Sequence, residues 1–325
     1  MQIEIKYMKI KVSEKFIQNP LVSVVIPSYN RKEFVAETIY SILNQECSFD
    51  FEIVIGDDCS TDGVREVLLN FQQNFPEKIK LLFYDKNIGI AANWATCVKE
   101  CRGKYIANCD NDDYWHEKSK IQKQVDFFEQ NPEVGLLSTG CQTIDSNGKI
   151  KQRIISKYIN GTLDELMRSP CNASIMYRAD LLFKYVKLDD YITYQFTLQD
   201  WPTWLFLSKH TKFDCLPINA TTVRSGNESV TRAKSYDAIL KRMNKEKFLY
   251  KYMSEQVDFP YIEQDYDDYI NERLLKLAFK KWDYSNAKEF AGKIADKTRQ
   301  DKTRTKNILT FYIFCLLKKL KNIKK

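Results

Sequence analysis

The stretch LVSVVIPSYNRKEFVAETIYSIL, residues 21–43, contains the two patterns that make up one βα unit. Its first six residues are almost all apolar and rich in valine, which is typical of a strand buried on both faces. After the turn residues PSYN, Val35, Ile39 and Ile42 recur at the spacing of an amphipathic helix. A buried strand followed at once by such a helix indicates an α/β fold.

The same alternation continues to about residue 140. Further apolar runs lie at 51–55, 79–83, 105–109 and 134–138. Each of the first three is followed by a segment of helical periodicity, and the run at 134–138 is the last. Parallel strands need crossover connections, and helices usually supply them. The pattern therefore predicts a mostly parallel, Rossmann-like sheet with helices on both faces.

The chain divides by composition into three parts. Residues 1–20 form an N-terminal segment that mixes charged and apolar residues, unlike a signal peptide, so we expect a cytoplasmic protein. Residues 21–235 form one α/β domain, in which 21–140 make the more regular half and 141–235 an appended half. Residues 236–325 are rich in Lys, Tyr and Leu and predict a helical extension.

Charge and cysteine content exclude two classes of function. The net charge is +7, and residues 293–325 hold eleven Lys or Arg against Asp296 and Asp301, so the basic character belongs to the tail. A general nucleic-acid surface is therefore not expected. Nine cysteines without a CxxC pair and only two histidines argue against a structural zinc site, and indicate reduced thiols.

Three carboxylates directly follow the apolar run 105–109, in the sequence Asp110-Asn111-Asp112-Asp113. Open α/β sheets bind ligands at the carboxyl ends of their strands. Three acids in four residues repel one another unless a cation compensates, and oxygen-only ligands point to Mg²⁺ or Mn²⁺. An EF-hand is excluded, because the positions that would need Gly and Glu hold Trp115 and Ile121.

Four blocks in the same order and at suitable spacing resemble glycosyltransferase family 2, and they lie at residues 24–30, 55–63, 87–89 and 110–113. The resemblance implies a GT-A fold, a nucleotide-sugar donor, a divalent metal and inversion at the anomeric carbon. It continues more weakly to about residue 235.

The resemblance also implies roles for single residues. The nucleoside would be held by the turn after the first strand, which consists of Pro27, Ser28, Tyr29 and Asn30. Asp58 would accept the imide N–H of uracil, although capping of the next helix is an alternative for Asp58 and for Asp62.

In the acidic cluster, the same resemblance assigns Asp112 to the metal that bridges the diphosphate. Asp110 would contact the ribose or a metal-bound water. Asp113 is a second metal candidate, or the cap of the helix that follows near Lys118. His116, just after the cluster, is a candidate to approach the diphosphate, or else a lone exposed histidine.

An inverting transfer needs a base for the acceptor hydroxyl, and one carboxylate suffices. The segment TLQDWPTW, residues 197–204, resembles the acidic motif of the family beside the acceptor, which makes Asp200 the candidate base. A simple helix N-cap is the alternative role for Asp200, and Asp189 and Asp190 are further candidates for the base. Arg224 lies in a late segment similar to that of the family, without its histidine, and is a candidate to offset diphosphate charge.

The apolar run 308–317 is about half as long as a spanning helix requires. Lysines flank it, which favours an interfacial helix at the inner face of the plasma membrane, or else a helix docked on the protein.

Together these features predict an inverting, metal-dependent glycosyltransferase, transferring a hexose or an N-acetylhexosamine. The donor would be a UDP-sugar, and the acceptor a hydroxyl of a surface glycan or a lipid-linked oligosaccharide. A sugar-phosphate nucleotidyltransferase is one alternative, although it would carry a glycine-rich loop where this chain has residues 27–30. A non-catalytic nucleotide-sugar-binding component of a glycan assembly complex is the other.

Overall fold

The computed structural model describes residues 8–154, 171–225, 235–257, 261–281 and 283–293. The chain forms two compact units, Met1–Asn227 and Glu228–Lys325.

A mixed sheet forms the centre of the N-terminal unit. Its strands are β1 (Met8–Lys11), β2 (Val22–Ser28), β3 (Phe51–Asp57), β4 (Ile79–Tyr84), β5 (Tyr105–Asn108), β6 (Tyr114–Trp115), β7 (Val134–Ile144), β8 (Ile150–Ile154), β9 (Met176–Arg178) and β10 (Lys212–Arg224). Their spatial order is β1-β4-β3-β2-β5-β9-β7-β10-β6, with β8 paired to β7.

The strands at the centre are parallel, as the alternation predicts. β2 lies between β3 and β5 and pairs in parallel with both, and β3 pairs in parallel with β4. The short strand β9 then runs antiparallel between β5 and β7, while β7 and β10 are again parallel to each other. The predicted α/β fold is confirmed, with β9 as the reversal that the sequence pattern does not show.

Helices cover both faces of this sheet. They are α1 (Lys32–Leu43), α2 (Val64–Asn74), α3 (Ile90–Lys99) and α4 (Lys120–Gln130). Alternate strand residues such as Val24 and Ile53 join the core cluster with α1, α2 and α4. On the other face α3 lies so close to β3 that a Cβ on Gly56 would meet the side chains of Asn93 and Cys97. Strand alternation thus separates two helical layers.

In its described residues, the second half of this unit adds the short helices α5 (Ala179–Tyr185), α6 (Leu188–Thr193) and α7 (Asp200–Ser208). In α7 the residues from Trp201 to Leu207 are all buried. This burial fixes the first turn of α7, where Asp200 lies.

The C-terminal unit is helical in its described part, as expected from its composition. It contains α8 (Tyr236–Val257), α9 (Glu263–Lys281) and α10 (Tyr284–Lys293). Its core includes Ile270, Leu274 and Phe290. The predicted interfacial helix at 308–317 lies outside the described residues. Among the helices that are described, none combines the length and apolar character needed to cross a membrane.

Candidate active site

The carboxyl ends of β2, β3 and β5 meet at one edge of the sheet, because these strands are parallel neighbours. Hydrogen bonds join the loops that follow them. Asn111 Nδ2 donates to Ser28 Oγ at 3.0 Å, and the backbone N–H of Asp58 donates to the Ser28 carbonyl at 2.9 Å. Two of the predicted nucleotide-binding segments and the acidic cluster therefore lie side by side.

The turn from Pro27 to Asn30 is held against the loop after β3. Asn30 has a positive φ of 47°, its N–H donates to Ser60 Oγ at 3.0 Å, and its Oδ1 accepts the N–H of Thr61 at 2.8 Å. Tyr29 is 45% exposed at the tip of this turn. A fixed backbone with one exposed ring provides a surface for a flat heterocycle.

Asp58 is only 2% exposed, and its carboxylate ties two loops together. One oxygen accepts the N–H of Ile88 at 2.6 Å, and the other accepts that of Gly89 at 3.0 Å. Burial raises the pKa of Asp58, and these two backbone donors partly offset that rise. Each carboxylate oxygen keeps a lone pair for a further donor.

Gly63 is the N-cap of α2, so Asp58 does not cap this helix, but Asp62 contacts its first residue. Asp62 Oδ1 accepts the N–H of Val64, the first residue of α2, at 3.1 Å, and its other oxygen accepts the N–H of Lys32. The preceding acid, Asp57, is fully buried and pairs with Arg65.

The surroundings of Asp110 strongly shift its pKa. Burial, reinforced by the negative charges of Asp112 and Asp200, raises its pKa to about 7. Asn172 Nδ2 donates to Asp110 Oδ1 at 3.0 Å and opposes the rise. The fold thus brings Asp200 within electrostatic reach of a residue 90 positions away in sequence.

Asp112 is the more accessible member of the cluster, with 33% of its side chain exposed. Its Oδ2 accepts a hydrogen bond from Arg31 Nε at 3.1 Å. The sequence offers one signal for Arg31, since it directly follows the predicted nucleoside turn, but its contact with Asp112 is visible only in the structure.

The side chain of Asp113 is buried against the backbone of Arg224. It is 4% exposed, and its Oδ1 accepts the backbone N–H of Arg224 at 3.0 Å. The capping alternative for Asp113 is wrong, because α4 begins at Lys120 after an N-cap at Ser119. Asp113 as a metal ligand stays a prediction.

Arg224 connects the acidic loop to α1. Its guanidinium donates to the Asp112 carbonyl at 2.6 Å and forms an ion pair with Glu37. It also lies over the rings of Phe34 and Tyr114, with its central carbon 4.8 and 5.0 Å from the ring centroids. Through these contacts, Arg224 holds the acidic loop in place against α1.

Asp200 is the first residue of α7, whose N-cap is Gln199, so Asp200 does not take the N-cap position. Its Oδ1 accepts the N–H of Trp201 at 2.7 Å. Burial raises the pKa of Asp200, and backbone donors only partly oppose this rise. A carboxyl group with a raised pKa is a stronger base once it has lost its proton.

The other candidates for the base lie in a different setting. Asp189 is 80% exposed and pairs with Lys99 at 2.5 Å, and it belongs to α6 together with Asp190.

The two ring nitrogens of His116 contact Thr222 Oγ1 and the Asn219 carbonyl, both at 2.9 Å. His116 therefore fastens β6 to β10 rather than the acidic loop.

The tryptophans near the predicted site residues are buried. Trp115 Nε1 donates to the Ala173 carbonyl at 2.7 Å, and Trp204 Nε1 donates to the Tyr177 hydroxyl at 3.0 Å. Trp201 is buried as well. None of these three rings offers an open face for a sugar in this structure.

The donor set at the acidic loop fits a hard divalent cation in one specific sense. In the described ranges, no group of three or more His, Cys, Asp or Glu side chains is placed to hold a metal ion. Mg²⁺, however, is usually bound through one or two carboxylates together with substrate phosphates. Asp110 and Asp112, close together and mutually repelling, match a site of that kind.

Comparison with known proteins places these observations in a family. The model for "Glycosyl transferase family 2" matches residues 23–186. The teichuronic acid biosynthesis glycosyltransferase TuaG of Bacillus subtilis is 30% identical over 196 residues, which are 58% of this chain and 73% of TuaG. The chondroitin synthase of Escherichia coli is 34% identical over 40% of this chain, but that match spans only 18% of the synthase.

Solved structures agree on the fold. The S. aureus protein TarS (residues 1–349), crystallised with UDP-GlcNAc, superposes with a TM-score of 0.56 at 16% identity, covering 84% of this chain and 81% of TarS. The mannosyltransferase PcManGT of Pyrobaculum calidifontis, in complex with GDP-Man and Mn²⁺, gives 0.52 at 15% identity, covering 92% of this chain and 81% of PcManGT.

Proposed function

The chain belongs to glycosyltransferase family 2 and is a glycosyltransferase, and from that premise we propose that it is an inverting, metal-dependent enzyme. It transfers a sugar from a UDP-linked donor to a hydroxyl of a surface glycan or a lipid-linked oligosaccharide. The observation that carries the proposal is that Asp110, just after β5, lies close enough to Asp112 and Asp200 for their charges to act on it.

The donor's nucleoside binds along the turn of Pro27, Ser28, Tyr29 and Asn30. Tyr29 is exposed there and stacks on the base, while Asp58 accepts the imide N–H of uracil through a free lone pair. UDP-GlcNAc in the TarS complex is consistent with a nucleotide-sugar donor of this type. The choice of uracil rests on Asp58, since PcManGT was crystallised with GDP-Man.

The diphosphate lies over the acidic loop. Asp112 holds a Mn²⁺ or Mg²⁺ ion, and Asp110 contacts the ribose or a metal-bound water. When bound, this ion supplies positive charge that stabilises the departing diphosphate. Asp113 is the second candidate ligand, although its contact with the Arg224 backbone favours an anchoring role.

Asp200 takes the proton of the acceptor hydroxyl. The acceptor oxygen then forms a bond to the anomeric carbon, while the bond from that carbon to the diphosphate oxygen breaks on the opposite face. Attack from the opposite face inverts the configuration at this carbon. The half-buried position of Asp200 at the start of α7 and its hydrogen bond from the Trp201 N–H support this role, because they hold the carboxylate in place.

The proposal also assigns the parts of the chain. Residues 21–235 are the catalytic domain, with donor binding in 21–140 and acceptor binding in 141–235, and 236–325 are an accessory extension. Contact of the basic tail with the inner face of the plasma membrane belongs to the proposal on the grounds of its sequence alone.

Calorimetry with UDP, GDP and UTP, each with Mn²⁺ or with a chelator, tests the proposal. We expect UDP to bind in the presence of Mn²⁺ and to lose most of its affinity with the chelator. Asp112→Asn removes the dependence on metal, whereas Asp189→Asn, an exposed acid, leaves it unchanged. A preference for UTP would instead favour a sugar-phosphate nucleotidyltransferase. A panel of UDP-sugars, scored by UDP release, then identifies the sugar.

A further inference from the structure

Arg31 lies between the nucleoside turn and α1, for which it is the N-cap residue. Its side chain is 23% exposed, and the contacts of its guanidinium include Asp112 and Asn30 of the candidate site. Nε donates to Asp112 Oδ2 at 3.1 Å, and Nη1 donates to the Asn30 carbonyl at 3.2 Å. A partly buried guanidinium is thus placed directly on the carboxylate proposed to hold the metal.

Arg224, the arginine that the sequence offers for the diphosphate, is engaged differently. Its guanidinium binds the backbone carbonyl of Asp112, pairs with Glu37 and lies over two aromatic rings. Moving Arg224 would free the acidic loop from α1. Arg31 instead contacts the side chain of Asp112, which gains a new partner when a metal arrives.

Arg31 and a divalent cation bound to the Asp112 carboxylate share its single negative charge. A guanidinium and a divalent ion on one carboxylate also repel each other. A diphosphate changes this balance, since it brings negative charge to both cations. Guanidinium groups bind phosphate oxygens through paired hydrogen bonds.

We propose that Arg31 is a diphosphate-binding residue, exchanged from Asp112 to the phosphate oxygens when metal and nucleotide bind together. This inference rests on the function proposed above and deepens it. In the free protein Arg31 competes with the metal for Asp112, so the metal binds weakly alone. With UDP present, the same guanidinium becomes a favourable contact.

The exchange predicts opposite effects of one substitution. In Arg31→Gln, Mn²⁺ alone binds about fivefold more tightly, because a competing ion pair of roughly 1 kcal/mol is lost. UDP in saturating Mn²⁺ binds at least about tenfold more weakly, because a charged hydrogen bond to phosphate is lost. Arg31→Lys, which keeps the charge but not the paired geometry, lies between the wild type and Arg31→Gln in both measurements.

Titration calorimetry of the full chain with Mn²⁺ alone and with UDP at saturating Mn²⁺ measures both effects. Arg242→Gln is the matched control, because Arg242 is equally exposed and pairs with Glu246 in the C-terminal unit. Equal thermal melts of the variants exclude a folding defect, and Arg31→Lys gives the answer if Arg31→Gln does not fold.

The outcomes separate the inference from the proposed function. If the wild type binds UDP with Mn²⁺ but Arg31→Gln matches it in both titrations, the exchange is wrong and the proposed function stands. Parallel loss of both affinities also overturns the exchange, because it would mean that Arg31 only supports the loop. A wild type that binds neither UDP nor Mn²⁺ overturns the function and the exchange together.

Discussion

Asn172 donates a hydrogen bond of 3.0 Å from Nδ2 to Oδ1 of Asp110, 62 residues earlier in the chain. Asn172 is itself held, since its Oδ1 accepts a hydrogen bond from Asn108 Nδ2 at 3.0 Å. The indole of Trp94 in turn donates to Asn108 Oδ1 at 3.0 Å. A buried chain of hydrogen bonds therefore fixes the orientation of the Asp110 carboxylate and lowers its pKa against the effect of burial.

Replacing Asn172 with Leu is expected to move the pH dependence of catalysis. Without the donor, the protonated form of Asp110 gains relative to the carboxylate, so the pKa of Asp110 rises from about 7. The acidic limb of kcat/KM then shifts to higher pH, and activity falls about tenfold at neutral pH, as for loss of one charged hydrogen bond. Asn147→Leu, in an exposed turn, is the control and keeps the wild-type profile. An unshifted profile would show that Asp110 does not control this limb.

Replacing Asp110 with Asn is expected to stabilise the metal-free protein while abolishing activity. For an acid whose pKa is raised in the folded state, folding is favoured less as pH rises from about 3.8 to about 7. Asn removes that penalty, so the gain is absent at pH 3 and reaches about 1 to 3 kcal/mol above pH 7. Urea unfolding in chelator at pH 3 and at pH 8 measures this gain in stability. A loss of stability at pH 8 would mean that the Asn172 contact outweighs burial.

The location of the candidate site could be predicted from the sequence better than its internal contacts. The apolar run at 21–26 marks β2 to within two residues, and parallel strands necessarily gather the segments that follow their carboxyl ends. Strand β9 escaped detection because three residues show no periodicity. Its pairing with β5 and β7 depends on contacts distant in sequence.

The partners of the acidic residues could not be predicted for a related reason. Asn172 and Asp110 meet only because the turn before β9 lies against the end of β5. Arg31 adjoins a predicted segment, yet its side-chain direction follows from its place at the start of α1. The pattern along the chain therefore indicates where the site lies, but it does not specify which side chains contact one another there.

Replacing Asp200 with Asn is expected to lower kcat by about 10² to 10⁴, the usual contribution of a general base. The affinity for UDP with Mn²⁺ stays the same, because Asp200 contacts acceptor and not donor in the proposed mechanism. Asp189→Asn is the control, since Asp189 is exposed and paired with Lys99. Steady-state transfer and UDP titration are measured on the same preparations. Unchanged turnover would remove Asp200 from the role of base.

Replacing Lys120 with Met is expected to stabilise the protein at neutral pH. Lys120 is fully buried; its Nζ donates to Gln124 Oε1 at 2.8 Å and lies 4.0 Å from the centroid of the Trp115 ring. In the part of the chain that the structure describes, no salt bridge to an acid compensates it. Burial lowers its pKa to about 7 from an ordinary value of 10.5.

The pH dependence of this stabilisation follows from proton uptake by Lys120 on unfolding. Between pH 7 and 10.5 the unfolded chain binds a proton at Lys120 that the folded protein does not, so wild-type stability rises with pH across this window. Met removes the cost, and the gain of about 1 to 3 kcal/mol at pH 7 shrinks toward pH 10. Lys123→Met, on the same helix but 44% exposed, changes stability by less than about 0.5 kcal/mol. Urea unfolding at pH 7 and pH 10 measures both variants, and a destabilised Lys120→Met at pH 7 would show that the contacts to Gln124 and Trp115 outweigh the burial of charge.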